Sequence, residues 1–182
     1  RDETPLSLEL MADDVLSLMD ELGLRRAALV GWSDGGAVAL QIAISHPERV
    51  SRLVAYGTHF NLGGSRKGGG TAFSAYFARC AADYARLSPT PEGFGSLLQA
   101  LRPLWRTQPN FKREQLSSIK MPTLVLDGEH DEIVRPGHLQ EMAGLIAGAR
   151  LVLIPESSHF ALFQQPEAFN QALLTFLMAP RE

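Results

Sequence analysis

Residues 27–56 read AALVGWSDGGAVALQIAISHPERVSRLVAY, and this stretch decides the fold. Its first apolar run, Ala27 to Val30, is too short for a helix and ends at Gly31, which indicates a strand buried on both faces. Residues 37–44 are small and apolar, have helical length and stop just before a proline, whereas Val50 to Tyr56 is typical of a second strand. A strand, a helix and a strand within about 30 residues predict a βαβ unit and a parallel sheet.

A helix is predicted before the first strand. Ser7 is a good N-cap, and Gly23 is suited to the position just after the last helical turn. Apolar side chains three and four residues apart predict one buried helix face, formed by Leu8, Met11, Val15, Leu18 and Leu22.

The α/β pattern is interrupted in the middle of the chain and then resumes. Residues 57–70 contain six glycines and predict an exposed linker, and helical stretches follow at 71–88 and 93–106. From Met121 onward, strands are predicted at Thr123 to Leu126 and Leu151 to Ile154, with helices at 137–146 and about 162–178. The expected organisation is an α/β core (1–57 and 120–182) with a mostly helical insertion (58–119).

The pentapeptide Gly31-Trp32-Ser33-Asp34-Gly35 has the pattern G-x-S-x-G between a predicted strand and a predicted helix. A serine on such a tight turn takes strained dihedral angles, so its hydroxyl projects from the sheet edge. The start of the following helix then offers backbone N–H groups to an oxyanion. Ser33 is therefore a candidate nucleophile; the alternative is a glycine-rich turn with an incidental serine.

Acidic residues follow the third predicted strand, in the segment Asp127-Gly128-Glu129-His130-Asp131-Glu132. Asp127 ends the strand, and Gly128 begins the turn. Asp131, three residues past this glycine, is placed to lean back over the carboxyl edge of the sheet. A solvated acidic loop is the alternative interpretation.

Two of the five histidines follow the carboxyl ends of predicted strands, the edge at which parallel sheets bind ligands. His59 follows the second strand, where it could line a pocket, and His159 follows the last one. For the others we expect helix capping by His46, a place in the acidic loop for His130, and solvent exposure for His138 in the first turn of a surface helix.

Three stretches together resemble the α/β-hydrolase fold family from the first helix to the C-terminus. They are LVGWSDGGAVALQIAISHPERVSRLV (29–54), MPTLVLDGEHDEIV (121–134) and LVLIPESSHFALFQQPEAFNQALLTFL (151–177). They are similar to the family's nucleophile elbow, acid loop and histidine loop, in the family's order of serine, acid and histidine. The GWSDGG elbow is similar to biphenyl-hydrolase-like amino-ester hydrolases and to many bacterial esterases.

The resemblance implies a mostly parallel sheet with a helical cap formed by residues 58–119. It also implies Ser33 as nucleophile, His159 as base and Asp131 as the acid that orients it, with the backbone N–H of Asp34 donating to the oxyanion. Such an enzyme needs no cofactor and no metal. Zinc is further disfavoured because the single cysteine and scattered histidines lack ligand spacing.

The chain departs from the family at its N-terminus. The family has further strands before the first helix, and a loop among them carries a histidine-glycine motif that supplies a second oxyanion donor. Neither is in this sequence, which begins at Arg1. We therefore expect an N-terminally truncated hydrolase whose strand near residues 27–32 lies at an open, apolar sheet edge.

Three residues beside the proposed machinery are candidate substrate-binding residues. Trp32 precedes the nucleophile, Phe160 follows the base, and His59 lies after the second strand. Aromatic residues of the insertion suggest an apolar acyl or aryl pocket, although they are equally suited to packing the cap onto the core: Phe73, Phe77, Tyr84 and Trp105.

The leading hypothesis is a serine hydrolase for small carboxylic esters. The same triad would also serve a hydrolase of carbon–carbon bonds in vinylogous diketones. Dehalogenase and epoxide hydrolase chemistry is disfavoured because both place an aspartate where Ser33 stands. A non-catalytic ligand-binding relative, or an inert fragment, is the hypothesis from another class.

Composition and charge restrict the partners. The 182 residues carry 17 basic and 20 acidic side chains, a net charge of −3, which gives no electrostatic reason to bind nucleic acid or anionic membrane. No signal peptide or membrane span is recognisable, and one cysteine cannot form an internal disulfide. These features predict a cytoplasmic protein with a small-molecule, ester-like substrate; they predict no oligomeric state.

Overall fold

A computed structural model describes residues 4–66 and 70–180. In these residues a four-stranded sheet has the order β1-β2-β3-β4, and each neighbouring pair is parallel. The α/β class with a parallel sheet is therefore confirmed. The strands are β1 (Ala27–Trp32), β2 (Val50–Tyr56), β3 (Thr123–Gly128) and β4 (Arg150–Ile154).

Helices connect the strands and form the segment between β2 and β3. In chain order they are α1 (Leu8–Glu21), α2 (Asp34–Ser45), α3 (Thr71–Leu87), α4 (Phe94–Thr107), α5 (Arg113–Ser117), α6 (His138–Leu145), α7 (Ala161–Gln164) and α8 (Pro166–Leu177). The last predicted helix is thus two helices, because Pro166 cannot donate a backbone hydrogen bond to continue α7 and instead begins α8.

Strand β1 lies at the edge of the sheet, and the expectation that both its faces are buried is wrong. Ala27 and Leu29 pack against the core cluster that also contains α1 and α2. Their neighbours Ala28 and Val30 point the other way and are exposed, Val30 by 48%. Only one face of this strand is therefore covered within the described residues.

The buried face of α1 also differs from the predicted one. Leu8, Ala12, Leu16 and Met19 are buried, whereas Leu18 and Leu22 are 60% and 63% exposed. The reason is that α1 packs mainly against α2, so one narrow stripe of its surface is covered.

The segment predicted as an exposed linker is largely part of the core. Thr58, Phe60 and Gly64 are buried. Backbone hydrogen bonds fix this stretch to two later loops, from the Phe111 N–H to the Phe60 carbonyl at 2.8 Å and from the Arg135 N–H to the Gly64 carbonyl at 2.7 Å. Residues 67–69 lie outside the described residues.

The ends of the predicted insertion pack into the main hydrophobic core, and its middle does not. Phe60, Leu104, Phe111, Leu116 and Ile119 share one buried cluster with residues of α1, α2 and β3. No residue of α3 is buried within its described span. None of the helices in the described parts of the chain has the length and apolarity needed to cross a membrane.

Candidate active site

Ser33 occupies a strained turn between β1 and α2. Its φ of 55° and ψ of −121° are unusual for a residue with a side chain. The turn closes because two glycines allow backbone contact: a Cβ at Gly31 would lie 2.1 Å from the Gly35 carbonyl oxygen, and one at Gly36 would lie 2.7 Å from Cγ2 of Thr58. The Ser33 N–H donates to the Tyr56 carbonyl at 2.9 Å, which fixes the turn to β2.

Asp131 and His159 form a buried hydrogen-bonded pair. The distance from His159 Nδ1 to Asp131 Oδ2 is 2.7 Å, and the residues are 2% and 5% exposed. The other Asp131 oxygen accepts from the backbone N–H groups of Val134, at 2.7 Å, and Ile133. Burial raises the pKa of Asp131, but the hydrogen bond and charge of His159 outweigh it, so the net shift of this pKa is downward.

Three further groups hold the backbone of His159. Its carbonyl accepts from Tyr56 Oη at 2.8 Å and from Trp32 Nε1 at 3.1 Å. Its N–H donates to Oε2 of Glu132 at 3.2 Å. The imidazole is therefore positioned both through its ring and through its main chain.

A cavity of about 470 Å³ lies at the carboxyl ends of the strands. Six of the residues singled out from the sequence line it: Trp32, Ser33, Asp34, His59, His159 and Phe160. Asp131 is not in the lining and contacts the imidazole from behind. Helices α3 and α4 supply much of the apolar wall, with Phe73, Tyr76, Phe77, Phe94, Leu97, Leu98, Leu101 and Trp105.

Asp34 joins the first turn of α2 to the helical wall. Its Oδ2 accepts a hydrogen bond from Trp105 Nε1 of α4 at 2.7 Å. His59 faces the same cavity. Burial lowers the pKa of His59, and the Asp34 carboxylate opposes that shift only in part. The neutral imidazole of His59 is therefore favoured in the cavity wall.

The expectation that His138 is solvated is wrong. This residue is 7% exposed, stacks on Phe60 with ring centroids 4.3 Å apart, and accepts the Phe60 N–H at Nε2 over 3.2 Å. Burial lowers the pKa of His138 to about 4. The loop after β2 covers the first turn of α6, and His138 therefore supports that loop.

Sequence reasoning assigned no role to several groups around the triad. Tyr56 and Asp127 are near the carboxyl ends of β2 and β3, so strand ends were a signal for both. Glu132 had no such signal, because it reaches the site from a loop whose position depends on the tertiary fold. Trp105 was expected as a pocket or cap-packing aromatic, whereas its hydrogen bond to Asp34 had no signal in the sequence.

Two groups of side chains in the described residues bring potential metal ligands together. Asp127, Asp131 and His159 form a buried group whose nitrogen and oxygen atoms lie within 4.8 Å of one another. In it, Nδ1 of His159 is already hydrogen-bonded to Asp131. The second group is exposed and consists of Glu129, His130 and Glu156.

Comparison with known proteins agrees with this parallel arrangement of strands and helices. The profile described as the alpha/beta hydrolase family matches residues 1–172. The chain belongs to the alpha/beta hydrolase family, a family of hydrolytic enzymes.

Two curated relatives and one solved structure are similar to most of this chain. The chain is 28% identical to the serine hydrolase BPHL of Mus musculus, over 91% of this chain and 60% of the relative. It is 30% identical to the 2-hydroxy-6-oxo-6-phenylhexa-2,4-dienoate hydrolase of Comamonas testosteroni, over 90% of this chain and 66% of the relative. The enol-lactonase of Burkholderia xenovorans LB400 superimposes with a TM-score of 0.70 at 26% identity, over 98% of this chain and 75% of that chain.

Proposed function

We propose that this protein is a serine hydrolase that cleaves small, neutral carboxylic esters through an acyl-enzyme. The observation that carries the proposal is the strained Ser33 turn opening into an apolar cavity that His159 also lines, with the imidazole bound to Asp131 at 2.7 Å.

In this mechanism Ser33 is the nucleophile and His159 the general base. The Asp131 carboxylate accepts a hydrogen bond from the Nδ1–H of His159, so Nε2 is left as the ring atom that takes the hydroxyl proton of Ser33. The imidazolium that forms is stabilised by the buried carboxylate, and it returns the proton to the leaving alcohol. Water then hydrolyses the acyl-enzyme by the same proton transfers in reverse roles.

The backbone N–H of Asp34 is the oxyanion donor in this proposal. Asp34 is the first residue of α2, and the first N–H groups of a helix have no partner within the helix. They point toward negative charge, which the helix dipole also favours at this end. The tetrahedral intermediate formed on Ser33 would place its oxygen near this N–H.

The cavity wall supports a neutral and apolar substrate. Its lining in the described residues contains aromatic and leucine side chains but no lysine or arginine. A substrate carboxylate would therefore lack a cationic partner there, whereas an alkyl or aryl ester would bury its apolar groups. We further propose that α3 and α4 act as the cap that selects among such esters.

A second candidate function is hydrolysis of a carbon–carbon bond with the same triad. Its support is the relative named as a 2-hydroxy-6-oxo-6-phenylhexa-2,4-dienoate hydrolase and the aromatic wall of the cavity. A lining without lysine or arginine in the described residues favours the neutral ester, because a dienoate carries a carboxylate that would lack a cationic partner there.

Fluorophosphonate labelling tests the nucleophile. We expect the protein to form a covalent adduct at Ser33, and Ser33→Ala to form none. Ser117→Ala, at an exposed serine on α5, is the matched control and should label like the unmodified protein. Equal labelling of Ser33→Ala, or no labelling of the unmodified protein, would support the non-catalytic alternative.

A substrate panel then separates the two chemistries. Neutral p-nitrophenyl esters with acyl chains of increasing length should be hydrolysed with kcat/KM that rises with chain length until the cavity is filled. The phenyl-substituted dienoate should react more slowly than the best ester. Faster cleavage of the dienoate would assign the carbon–carbon reaction instead.

A further inference from the structure

Asp127 is a buried carboxyl group that the proposed mechanism does not use. It is the fifth residue of β3 and is 0% exposed. Its Oδ1 accepts the Gly128 N–H at 2.8 Å. Within the described part of the chain, Oδ2 is buried and meets no hydrogen-bond donor. An ionised carboxylate in this position would carry a charge with almost nothing to stabilise it.

A second carboxyl group and an imidazole lie beside Asp127. Oxygen atoms of Asp127 and Asp131 and a ring nitrogen of His159 lie within 4.8 Å of one another. Two adjacent carboxylates in a buried site do not both ionise, because their repulsion is poorly screened there. One of the two must therefore hold a proton in the folded protein near neutral pH.

The hydrogen-bond donors decide which carboxyl is ionised. Asp131 accepts from His159 and from two backbone N–H groups, whereas Asp127 accepts from one. More donors favour the charged form, so Asp131 carries the charge. The Asp131 carboxylate is an acceptor beside that proton, because oxygen atoms of the two side chains lie within 4.8 Å of each other.

We propose that Asp127 is protonated and donates a hydrogen bond to Asp131, and so positions the carboxylate that orients His159. This role as a positioning residue rests on the proposed function, whereas the protonation of Asp127 stands without it. The arrangement places two carboxyl groups behind the imidazole with one negative charge between them.

Electrostatics of the surrounding groups agrees with this assignment. Burial raises the pKa of Asp127 to about 10, and the charge and hydrogen bond of Asp131 act in the same direction. Glu132 adds a further negative charge on that side. Tyr56 and His159 also face the group, and burial together with Asp127 and Asp131 raises the pKa of the Tyr56 hydroxyl.

The protonation can be measured through stability without any assay of activity. If Asp127 is protonated when folded and ionised when unfolded, unfolding releases a proton. The unfolding constant then rises about tenfold for each pH unit between the ordinary pKa of aspartate and the raised pKa of the folded state. Asp127→Asn is neutral in both states and lacks this dependence. The ratio of unfolding constants, unmodified protein over variant, should rise about 100-fold between pH 6 and pH 8.

Urea unfolding at several pH values gives this ratio. The same substitution at an exposed aspartate of α1, Asp13→Asn, is the matched control and should give a ratio that does not change with pH. A ratio for Asp127→Asn that is also constant between pH 6 and pH 8 would show an ionised Asp127 and overturn the proposal.

Infrared difference spectra of the unmodified protein give a second readout if the variant does not fold. A carboxylic C=O band that disappears on raising the pH above about 10 supports a protonated side chain, and absence of the band contradicts it.

The positioning role has its own test in the pH–rate profile of ester hydrolysis. Asp127→Asn keeps a neutral N–H donor to Asp131, and its kcat/KM should stay within about threefold of the unmodified protein. Asp127→Leu removes the donor, so Asp131 holds the imidazolium more tightly. The acidic limb of kcat/KM should then move to higher pH, with about tenfold lower activity on that limb.

The outcomes separate the two proposals. Identical pH–rate profiles for the Asn and Leu variants would overturn the positioning role even where the stability measurement supports protonation. Absence of ester hydrolysis in the unmodified protein would count against the proposed function alone, because the stability ratio would still report the proton on Asp127.

Discussion

Strand β3 is buried along its whole length, whereas none of the 17 described residues of α3 is buried. Both contribute to the same site, since the loop after β3 carries Asp131 and α3 lines the cavity. We call the strand-end residues Ser33, Asp131 and His159 the floor of the site, and helices α3 and α4 its wall. The floor is fixed by hydrogen bonds to Asp131 and His159. The helical wall is held mostly by half-buried aromatic contacts. The proposed chemistry thus rests on the stable part of the fold, and the proposed substrate selection on the part that can change at low cost in stability.

Removing the charge on the floor should have the largest effect. Asp131→Asn can place an amide N–H donor against Nδ1 of His159. This favours the wrong imidazole tautomer, in which Nε2 carries the proton and cannot act as the base. We expect kcat for ester hydrolysis to fall about 10⁴-fold. Steady-state kinetics measures this loss, and Glu129→Gln, an exposed carboxyl in the same loop, should have unchanged kcat. A loss below about tenfold would mean that Asp131 does not orient the base.

The turn that presents Ser33 should tolerate no side chain on its strand side. Gly31→Ala places a Cβ only 2.1 Å from the Gly35 carbonyl oxygen, well inside van der Waals contact. We expect the free energy of unfolding to fall by about 3 kcal/mol or more. Gly35→Ala is the control, because nothing lies within 4 Å of its Cβ position. Equal stability of the two variants in urea unfolding would show that the turn is looser than described.

The buried His138 should make the free energy of unfolding depend on pH in the acid range. Its pKa is lowered to about 4 in the folded protein, against about 6.5 unfolded. Unfolding therefore takes up a proton between these values, so the stability supplied by neutral His138 is complete above pH 6.5 and is lost as pH falls toward 4. The loss is up to about 1.4 kcal/mol per pH unit.

Unfolding of His138→Gln measured across the same pH range isolates this contribution. The glutamine is neutral and keeps an acceptor for the Phe60 N–H, so its stability should fall less steeply between pH 6.5 and pH 4. His130→Gln, at an exposed histidine, should keep the steep dependence. Parallel curves for His138→Gln and the unmodified protein would contradict a neutral, buried His138.

The smallest expected effect is on the link between floor and wall. Trp105→Phe removes the hydrogen bond from Nε1 to Asp34 but keeps an aromatic ring on α4. Trp105 is 38% exposed, so we expect the binding free energy of an apolar ester to weaken by only about 1 kcal/mol. The kinetic result should be a roughly fivefold higher KM with kcat little changed. Hydrogen exchange should become faster in α4 and not in β3. Unchanged exchange in α4 would mean that this bond does not hold the wall.

The sequence predicted the floor better than the wall. The bounds of β2 were predicted to the residue, because Val50 to Tyr56 is mostly apolar and ends directly before Gly57. The placement of Ser33, Asp131 and His159 at strand ends follows from parallel topology, which local patterns predict well. Their assigned roles stay predictions until the kinetic tests above.

Contacts between distant segments could not be predicted from local patterns. Leu18 matches the spacing of a buried face but is exposed, because α1 packs mainly against α2 and covers only one stripe of its surface. His138 is buried because the glycine-rich stretch after β2 folds over it, and nothing in that stretch signals burial. The proximity of Asp127 and Asp131 likewise depends on how the loop after β3 turns back.

The left-handed dihedral angle of Ser33 implies a conflict between activity and robustness. A residue other than glycine held in such a conformation costs of order 1–3 kcal/mol. Ser33→Gly would release that strain and is expected to raise the melting temperature while abolishing the proposed nucleophile. Selection that acted on thermal stability alone would thus remove this serine, so its retention would require selection for catalysis.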